Sequence, residues 1–424
     1  MLDMGLGKTL ITLRTLCSQG ERALVIAPLK PLYNTWPDEI VKWTPELSFT
    51  MLHDSTLSRT LEEDSDVYLI NPEGMERLYY ALEKYYKKYK KIPFTTLVLD
   101  EGSVWKSHSA KRFKILDSLL DMFPNYRYIL SGTPAPHSLH DLWSQYYILD
   151  GGASLGKNIS TFRERYFRVN PNCKHQWFLT VEESELYKKV EHLTYRLDAR
   201  DHIEYCNSSY IKDEIELNKA HSDQYKQLQK DFYLSLDENA SETEAFTTAQ
   251  LQAQLRQFVQ GALYTDHPVY EVIHTTKIER LKTILARGDN VLCAIQFRFE
   301  LDMLKKAFPD APSIVGGVNS DTANRLMRKW NTGEIPLLIV HPQAVAHGVN
   351  IQFGGHVVVW LGLTWNLEHY LQLNGRLVRP GQEHDVEVIH IIAKGTIDEA
   401  VYKSLQNKEK VQDSFLQHMR EVTG

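Results

Sequence analysis

Short, wholly apolar runs recur along this chain and constrain its fold more than any other feature. ALVIAP (23–28), VYLI (67–70), LVL (97–99) and YIL (128–130) fall within the first 150 residues. Each is too short for a buried helix and too uniformly apolar for a strand with one wet face. Stretches of helical spacing separate them. A parallel sheet covered by helices on both faces meets these demands, because each crossover between parallel strands lays a helix on the sheet. The pattern returns from about residue 291 with VLCAIQF, PSIVGG, LLIV (337–340), VVVW (357–360) and VEVIHI (386–391). A chain of 424 residues exceeds one ordinary core, so two α/β units are expected.

Residues 151–270 read differently. SELYKKVEHLTYRL and HSDQYKQLQKDFYLSL are polar with helical spacing, DENASETEAF reads as an exposed loop, and AQLQAQLRQFVQGALY reads as a helix ending near Gly261. The expected division is 1–150, a first α/β lobe; 151–270, a helical insertion and linker; and 271–424, a second lobe. The stretch YALEKYYKKYKK (80–91) has two readings. The plainer one is a solvated helix with aromatic anchors; the other is a basic, aromatic surface for nucleic acid.

The net charge of −6 gives no support to nucleic-acid binding, although a basic groove can exist on an acidic protein. Cys17, Cys173, Cys206 and Cys293 lie far apart, which argues against a disulfide framework. Cys173 and His175 lack a second pair at metal-site spacing. No run reaches the roughly 18 apolar residues of a membrane span, and no secretory layout opens the chain. These features favour an intracellular protein with no membrane partner.

The chemistry gathers at the ends of the apolar runs, where open α/β sheets bind ligands. Gly5 and Gly7 allow a loop whose N–H groups face phosphate at a helix N-terminus. Lys8 can reach the β- and γ-phosphates of ATP, and Thr9 can ligate Mg²⁺. Leu2 stands where the strict phosphate-loop pattern has its first glycine. Asp100 and Glu101 close LVLDE: one carboxylate suits Mg²⁺, the other an attacking water. Ser131, Gly132 and Thr133 form either a plain strand-ending turn or a relay from the nucleotide. Arg376 and Arg379, three apart on an expected helix, share one face. They form either a helix ion-pair set or a clamp for γ-phosphate charge.

DMGLGKT, LVLDEG, SGTPAPHSLHDLW and GRLVRPGQ, in this order, resemble the motifs of the SNF2-like branch of superfamily 2 helicases, and the resemblance spans nearly the whole chain. VHPQAVAHGVNIQFGGHVVVWLGLTWNLEHYLQ resembles the second-lobe signature, in wording close to compact phage and prophage members. The resemblance implies two RecA-like parallel-sheet lobes with a helical insertion between them, ATP and Mg²⁺ as cofactors, and double-stranded DNA as partner. It implies Gly5, Gly7, Lys8, Thr9 and Asp100 as nucleotide-binding residues, with Thr9 and Asp100 on magnesium. Glu101, Arg376 and Arg379 are the implied catalytic residues. Ser131, Gly132, Thr133, Gly348, Asn350, Gln352 and Gln372 are the implied coupling residues. Lys30, Lys106 and Trp365 are candidate DNA contacts. The implied activity is that of a DNA-dependent ATPase in which hydrolysis drives lobe closure and movement along duplex DNA. Asp100-Glu101-Gly102-Ser103 lacks the histidine of many relatives, which bears on coupling rather than hydrolysis. Relatives also carry an adenine-recognising element and a strand before the loop, so the first lobe is expected to be N-terminally truncated. The resemblance leaves room for an accessory protein. Two other readings stand: a DNA-binding scaffold with a degenerate ATPase core, and a strand-separating helicase.

Overall fold

The computed structural model describes residues 6–53, 55–135, 138–170, 173–197, 206–234, 242–345, 351–379 and 381–423. The chain divides into two units, Met1–Ile203 with Lys408–Gly424, and Glu204–Asn407.

The first unit is built on five strands: β1 (Ala23–Ile26), β2 (Phe49–Met51), β3 (Val67–Ile70), β4 (Thr96–Asp100) and β5 (Tyr126–Leu130). They are all parallel, in the order β2-β3-β1-β4-β5. Side chains alternate across the sheet. Leu24, Ile26, Leu97 and Leu99 enter one core layer, and Ala23, Val25, Val67, Leu69 and Val98 the other. Burial on both faces is why these runs carry no polar alternation. An antiparallel hairpin, β6 (Phe167–Asn170) and β7 (Cys173–Leu179), belongs to the same unit. The end of the last helix, Ile397–Thr423, packs Phe415 edge-on to Tyr187 with ring centroids 5.1 Å apart.

The second unit contains β8 (Ser208–Ile215), a hairpin of β9 (Ala262–Asp266) and β10 (Val269–Val272), then β11 (Val291–Ala294), β12 (Ser313–Ile314), β13 (Leu337–Val340), β14 (Val357–Trp360) and β15 (Val386–Ala393). Its six-stranded parallel sheet runs β12-β13-β11-β14-β15-β8. Val291, Cys293, Val357 and Val359 face one core, and Leu292, Ala294, Val358 and Trp360 the other.

Two expectations change. The stretch 151–270 is not a helical insertion alone, because it also supplies two hairpins and β8, which pairs with β15 from Ser208↔Val386 to Ile215↔Ala393. Its helices Lys219–Leu234 and Glu242–Val259 lie in the second unit. The second of them takes in Glu242–Phe246, the latter half of the expected loop.

Charged groups enter the second unit's core next to β14. Lys277, 2% exposed, pairs with Asp398 at 2.6 Å and donates to the Leu361 carbonyl at 2.9 Å. Arg256 Nη2 donates to the Leu363 carbonyl at 2.9 Å. Glu300 accepts the N–H groups of Gln296 and Phe297 at 2.7 and 2.6 Å. A Cβ on Gly362 would stand 2.7 Å from Glu300 Oε1, so a larger residue there would push the Glu300 carboxylate aside.

Candidate functional site

In the first unit the helix Lys8–Gln19 starts on Gly7, whose φ of 69° lies in the left-handed region. Glycine adopts it without strain. The first N–H groups of a helix lack intrahelical acceptors and carry its positive dipole end, so they favour an anion. Lys8 and Thr9 are the first two residues of this helix, both half-buried. Gly5 lies outside the described residues.

Asp100 is the last residue of β4. Fully buried Trp36 donates from Nε1 to Asp100 Oδ2 at 2.9 Å. Burial pushes the Asp100 carboxyl above its ordinary range, while the Trp36 bond, the Lys8 charge and the Glu101 backbone pull it back. Lys8 thus acts on Asp100 across most of the first sheet's sequence. Glu101 follows at φ 65°, a left-handed conformation that costs a residue with a side chain on the order of 1–2 kcal/mol. Gly102 then presses against β5: a Cβ there would lie 2.6 Å from Ile129 Cγ2 and 2.8 Å from Gln145 Oε1.

Beyond β5, Ser131 Oγ accepts the Thr133 N–H at 3.1 Å. Gln145 Nε2 holds the Pro134 carbonyl at 2.6 Å. Ser131 and Thr133 are buried, Gly132 half-buried, and the Thr133 hydroxyl has no partner among the described residues. The ends of β4 and β5 are thereby fixed to one another through Gly102 and Gln145. Sequence reasoning missed Trp36 and Gln145. Trp36 lies within LVIAPLKPLYNTW, which advertises a buried aromatic but not its bond to a residue 64 positions away.

In the second unit Gln372 is buried in the helix Leu367–Asn374 and donates from Nε2 to Glu368 Oε1 at 3.3 Å. This helix ends before the arginines. Arg376 and Arg379 do not share a helical face as expected, because Gly375 caps the helix and the chain continues as a turn and a bend. The turn is anchored by Asn374, whose Oδ1 accepts the buried Trp360 Nε1 at 2.9 Å. The backbone N–H groups of Arg376 and Arg379 donate to Leu373 and Leu377, each at 3.0 Å. Just beyond, Gln382 Nε2 donates to the Gln352 carbonyl at 2.6 Å and the Gly355 carbonyl at 3.1 Å. Gln352 is therefore tied to the arginine segment. Gly348 and Asn350 lie outside the described residues. Of the candidate DNA contacts, Lys30 is exposed, Lys106 is half-buried and Trp365 packs against the second unit's core.

The first unit's donor set fits a magnesium-bound triphosphate. A lysine and free N–H groups at a helix terminus suit phosphate oxygens. A threonine hydroxyl and an enclosed carboxylate are the hard oxygen ligands magnesium takes, with phosphates and waters supplying the rest. The orphaned Thr133 hydroxyl is a further polar group at that sheet edge.

Comparison with known proteins agrees with this reading. The SNF2-related domain pattern matches residues 2–262, and that of the helicase conserved C-terminal domain matches 276–381. Putative protein p41 of Acyrthosiphon pisum secondary endosymbiont phage 1 is 30% identical, over 98% of this chain and 94% of its own length. A putative ATP-dependent helicase/translocase of Bacillus subtilis is 25% identical over 99% of this chain, which spans 46% of that protein. A solved SWI2/SNF2 ATPase core of Sulfolobus solfataricus in complex with double-stranded DNA is 21% identical over 99% of this chain and 90% of the other, with a TM-score of 0.43. A helix N-terminus bearing Lys8, an acid pair ending a buried strand and a match over more than half the chain lead to one assignment: this chain belongs to the SNF2-related family of helicase-like ATPases.

Proposed function

We propose that this protein is a DNA-dependent ATPase that moves along double-stranded DNA without needing to separate its strands. The observation that carries the proposal is a Gly7-capped helix N-terminus bearing Lys8 in the same unit as Asp100, which ends β4 and is held by Trp36 at 2.9 Å. A lysine at a helix N-terminus and a carboxylate at a sheet's carboxyl edge suit a magnesium-bound triphosphate.

Bound magnesium would neutralise phosphate charge and withdraw electrons from the transferring group. The protein's own residues do the rest. Lys8 and the Gly7-capped N–H groups hold phosphate oxygens. Thr9 and Asp100 supply oxygen ligands. Glu101, carried out of the strand line by its left-handed backbone, orients a water and accepts its proton. Arg376 and Arg379 neutralise γ-phosphate charge, and Ser131, Gly132, Thr133, Gly348, Asn350, Gln352 and Gln372 pass the change in phosphate state to the DNA-holding surfaces. Hydrolysis is coupled to closure of the two units and so to stepping.

Double-stranded DNA as partner is supported by the family membership and by the likeness to a bacterial protein named as a helicase/translocase. Most contacts are to phosphates, so binding is salt-dependent and weakly sequence-specific. The phage relative, matched over nearly its full length, supports a phage-borne origin, and the proposed setting is the cytoplasm of a bacterial or infected cell. No helix of the described residues is long and apolar enough to cross a membrane.

The test is ATP turnover with duplex DNA, single-stranded DNA and RNA, beside displacement of a third strand from a duplex. Stimulation by duplex with third-strand displacement is expected, and Lys8→Ala should abolish both while leaving DNA binding. Turnover in the Lys8→Ala protein above a fifth of the parent's rate would remove the nucleotide assignment. Third-strand displacement absent despite vigorous turnover would leave an ATPase that does not translocate.

A further inference from the structure

The helix Met75–Tyr89 and the two lysines after it hold six basic side chains against two acids, on a chain of net charge −6. One face of the helix is buried: Met75, Leu78, Ala81 and Leu82 enter the core. The opposite face is exposed. Tyr80, Lys84 and Lys87 follow one another at spacings of four and three, so they form one stripe, and Lys90 and Lys91 follow just past the helix end, both exposed. Tyr80, within it, and Tyr86, beside it, are 57% and 51% exposed.

Lys88 is engaged with Glu62 at 2.8 Å, but Lys84, Lys87, Lys90 and Lys91 make no ion pair with the described residues. The helix dipole favours cations in the last turn. That explains Lys87 and Lys88, but not a stripe reaching back to Lys84. Lys90 also ends the helix in the left-handed region, at φ 56°, where glycine is the unstrained choice. A lysine stands there against the backbone's preference.

Topology places this patch away from the nucleotide. The helix leaves the carboxyl end of β3, beside the edge where Asp100 and Glu101 lie, and returns to the amino end of β4. Fifteen residues of helix carry it about 22 Å, so its lysine-rich end lies at the opposite edge of the sheet. These cations therefore cannot serve ATP.

We propose that the Tyr80–Lys91 face is a separate docking surface for the phosphate backbone of duplex DNA on the first unit. The reading rests on DNA being the protein's partner. The charge is complementary and the scale fits. From Tyr80 to Lys87 the helical stripe rises about 10 Å, along which a duplex presents about six negative charges.

The test compares the parent with Lys84→Ala/Lys87→Ala/Lys90→Ala/Lys91→Ala by anisotropy of a labelled 40-base-pair duplex over a salt series. Circular dichroism and DNA-free ATP turnover should match the parent, since all four side chains are exposed and outside the nucleotide site. Each lost phosphate contact lowers the slope of log affinity against log salt by about 0.9. A slope reduced by about two to three, with affinity about tenfold or more weaker near 0.1 M salt, is expected. Unchanged duplex binding in the folded variant overturns the inference and leaves the patch to an acidic protein. A loss confined to single-stranded DNA overturns it too, since stacking on Tyr80 and Tyr86 would then be the patch's role. A parent that binds no duplex overturns the functional reading itself, a result distinct from a variant that binds as its parent does.

Discussion

In the proposed reaction Asp100 is the most finely held residue. Its carboxylate is enclosed enough to be pushed toward the protonated form, and it stays useful only because Trp36, Lys8 and a backbone N–H favour the charge. Trp36→Phe keeps the ring in the core and removes one of the three. A hydrogen bond to a charged group is worth about 1.5–3 kcal/mol, so turnover should fall about tenfold or more. Because the lost bond stabilised the ionised form, the acid limb of the pH–rate profile should move to higher pH. A packing defect alone would lower thermal stability and leave that limb in place, so the profile and a melting curve together decide. Glu101→Gln acts at the neighbouring position. It keeps the shape and loses the base, so nucleotide affinity should hold within about threefold while single-turnover hydrolysis drops by about 10²-fold or more. Equal losses in binding and hydrolysis would make Glu101 a binding residue.

At the scale of elements, what could be read in advance followed from burial. VYLI, LLIV and VVVW are strands with the expected limits, because a strand covered on both faces has no polar positions to blur its ends. β8 escaped for the converse reason. SSYIKDEI lies at the sheet's edge with most of its side chains exposed, and its pairing with β15 leaves no apolar run to read. The three-residue β2 was too short to register. Lys8, Asp100 and Glu101 were legible because their types at strand and helix ends imply chemistry locally. The Trp36 bond, and the ring of charge around Glu300, join residues far apart in sequence and were not. Glu300 gives a further expectation. Burial pushes its pKa up to about 7, against partial relief from two backbone N–H groups and the cations Lys277 and Arg256. The folded state therefore holds a proton more tightly than the unfolded chain, whose glutamate titrates near 4.3. This contribution to stability is complete below the unfolded value and is lost as pH rises through about 7. His274 and His390, lowered by burial to about 4, act oppositely, losing stability as pH falls below about 6.5. Glu300→Gln should thus lose less stability than the parent between pH 5 and 8, by an amount on the order of a few kcal/mol. Urea unfolding followed by tryptophan fluorescence at each pH gives the difference, in which the histidine contributions cancel. Parallel pH dependences in the two proteins would return Glu300 to an ordinary charged state.

For the molecule as a whole, the functional proposal divides the work between two units. Lys8, Asp100 and Glu101 belong to one, and Arg376 and Arg379 to the other. The arginines stand on a turn rather than a helix, fixed at one end by Asn374 under Trp360 and at the other by Gln382 on the Gln352 and Gly355 carbonyls. Such a bracing positions two side chains without a common helical face, and it belongs wholly to the second unit. If their role is to neutralise γ-phosphate charge, their benefit appears in the transition state and not in the first binding of nucleotide. Arg376→Ala and Arg379→Ala should each cut DNA-stimulated turnover by about 10³-fold, while affinity for magnesium-ATP and for duplex DNA changes little. Distances between labels on the two units should shorten in the parent when a non-hydrolysable analogue and duplex are added, and less so in the variants. A purely structural role for these arginines predicts something else. A lost surface ion pair costs about 0.2–1 kcal/mol, visible as a small drop in melting temperature with turnover near the parent's. Folded variants that hydrolyse ATP at close to the parent's rate on duplex DNA would take the arginines out of the reaction. The second unit's part would then be confined to holding DNA, and the coupling of hydrolysis to movement would have to run through the Ser131–Thr133 segment alone.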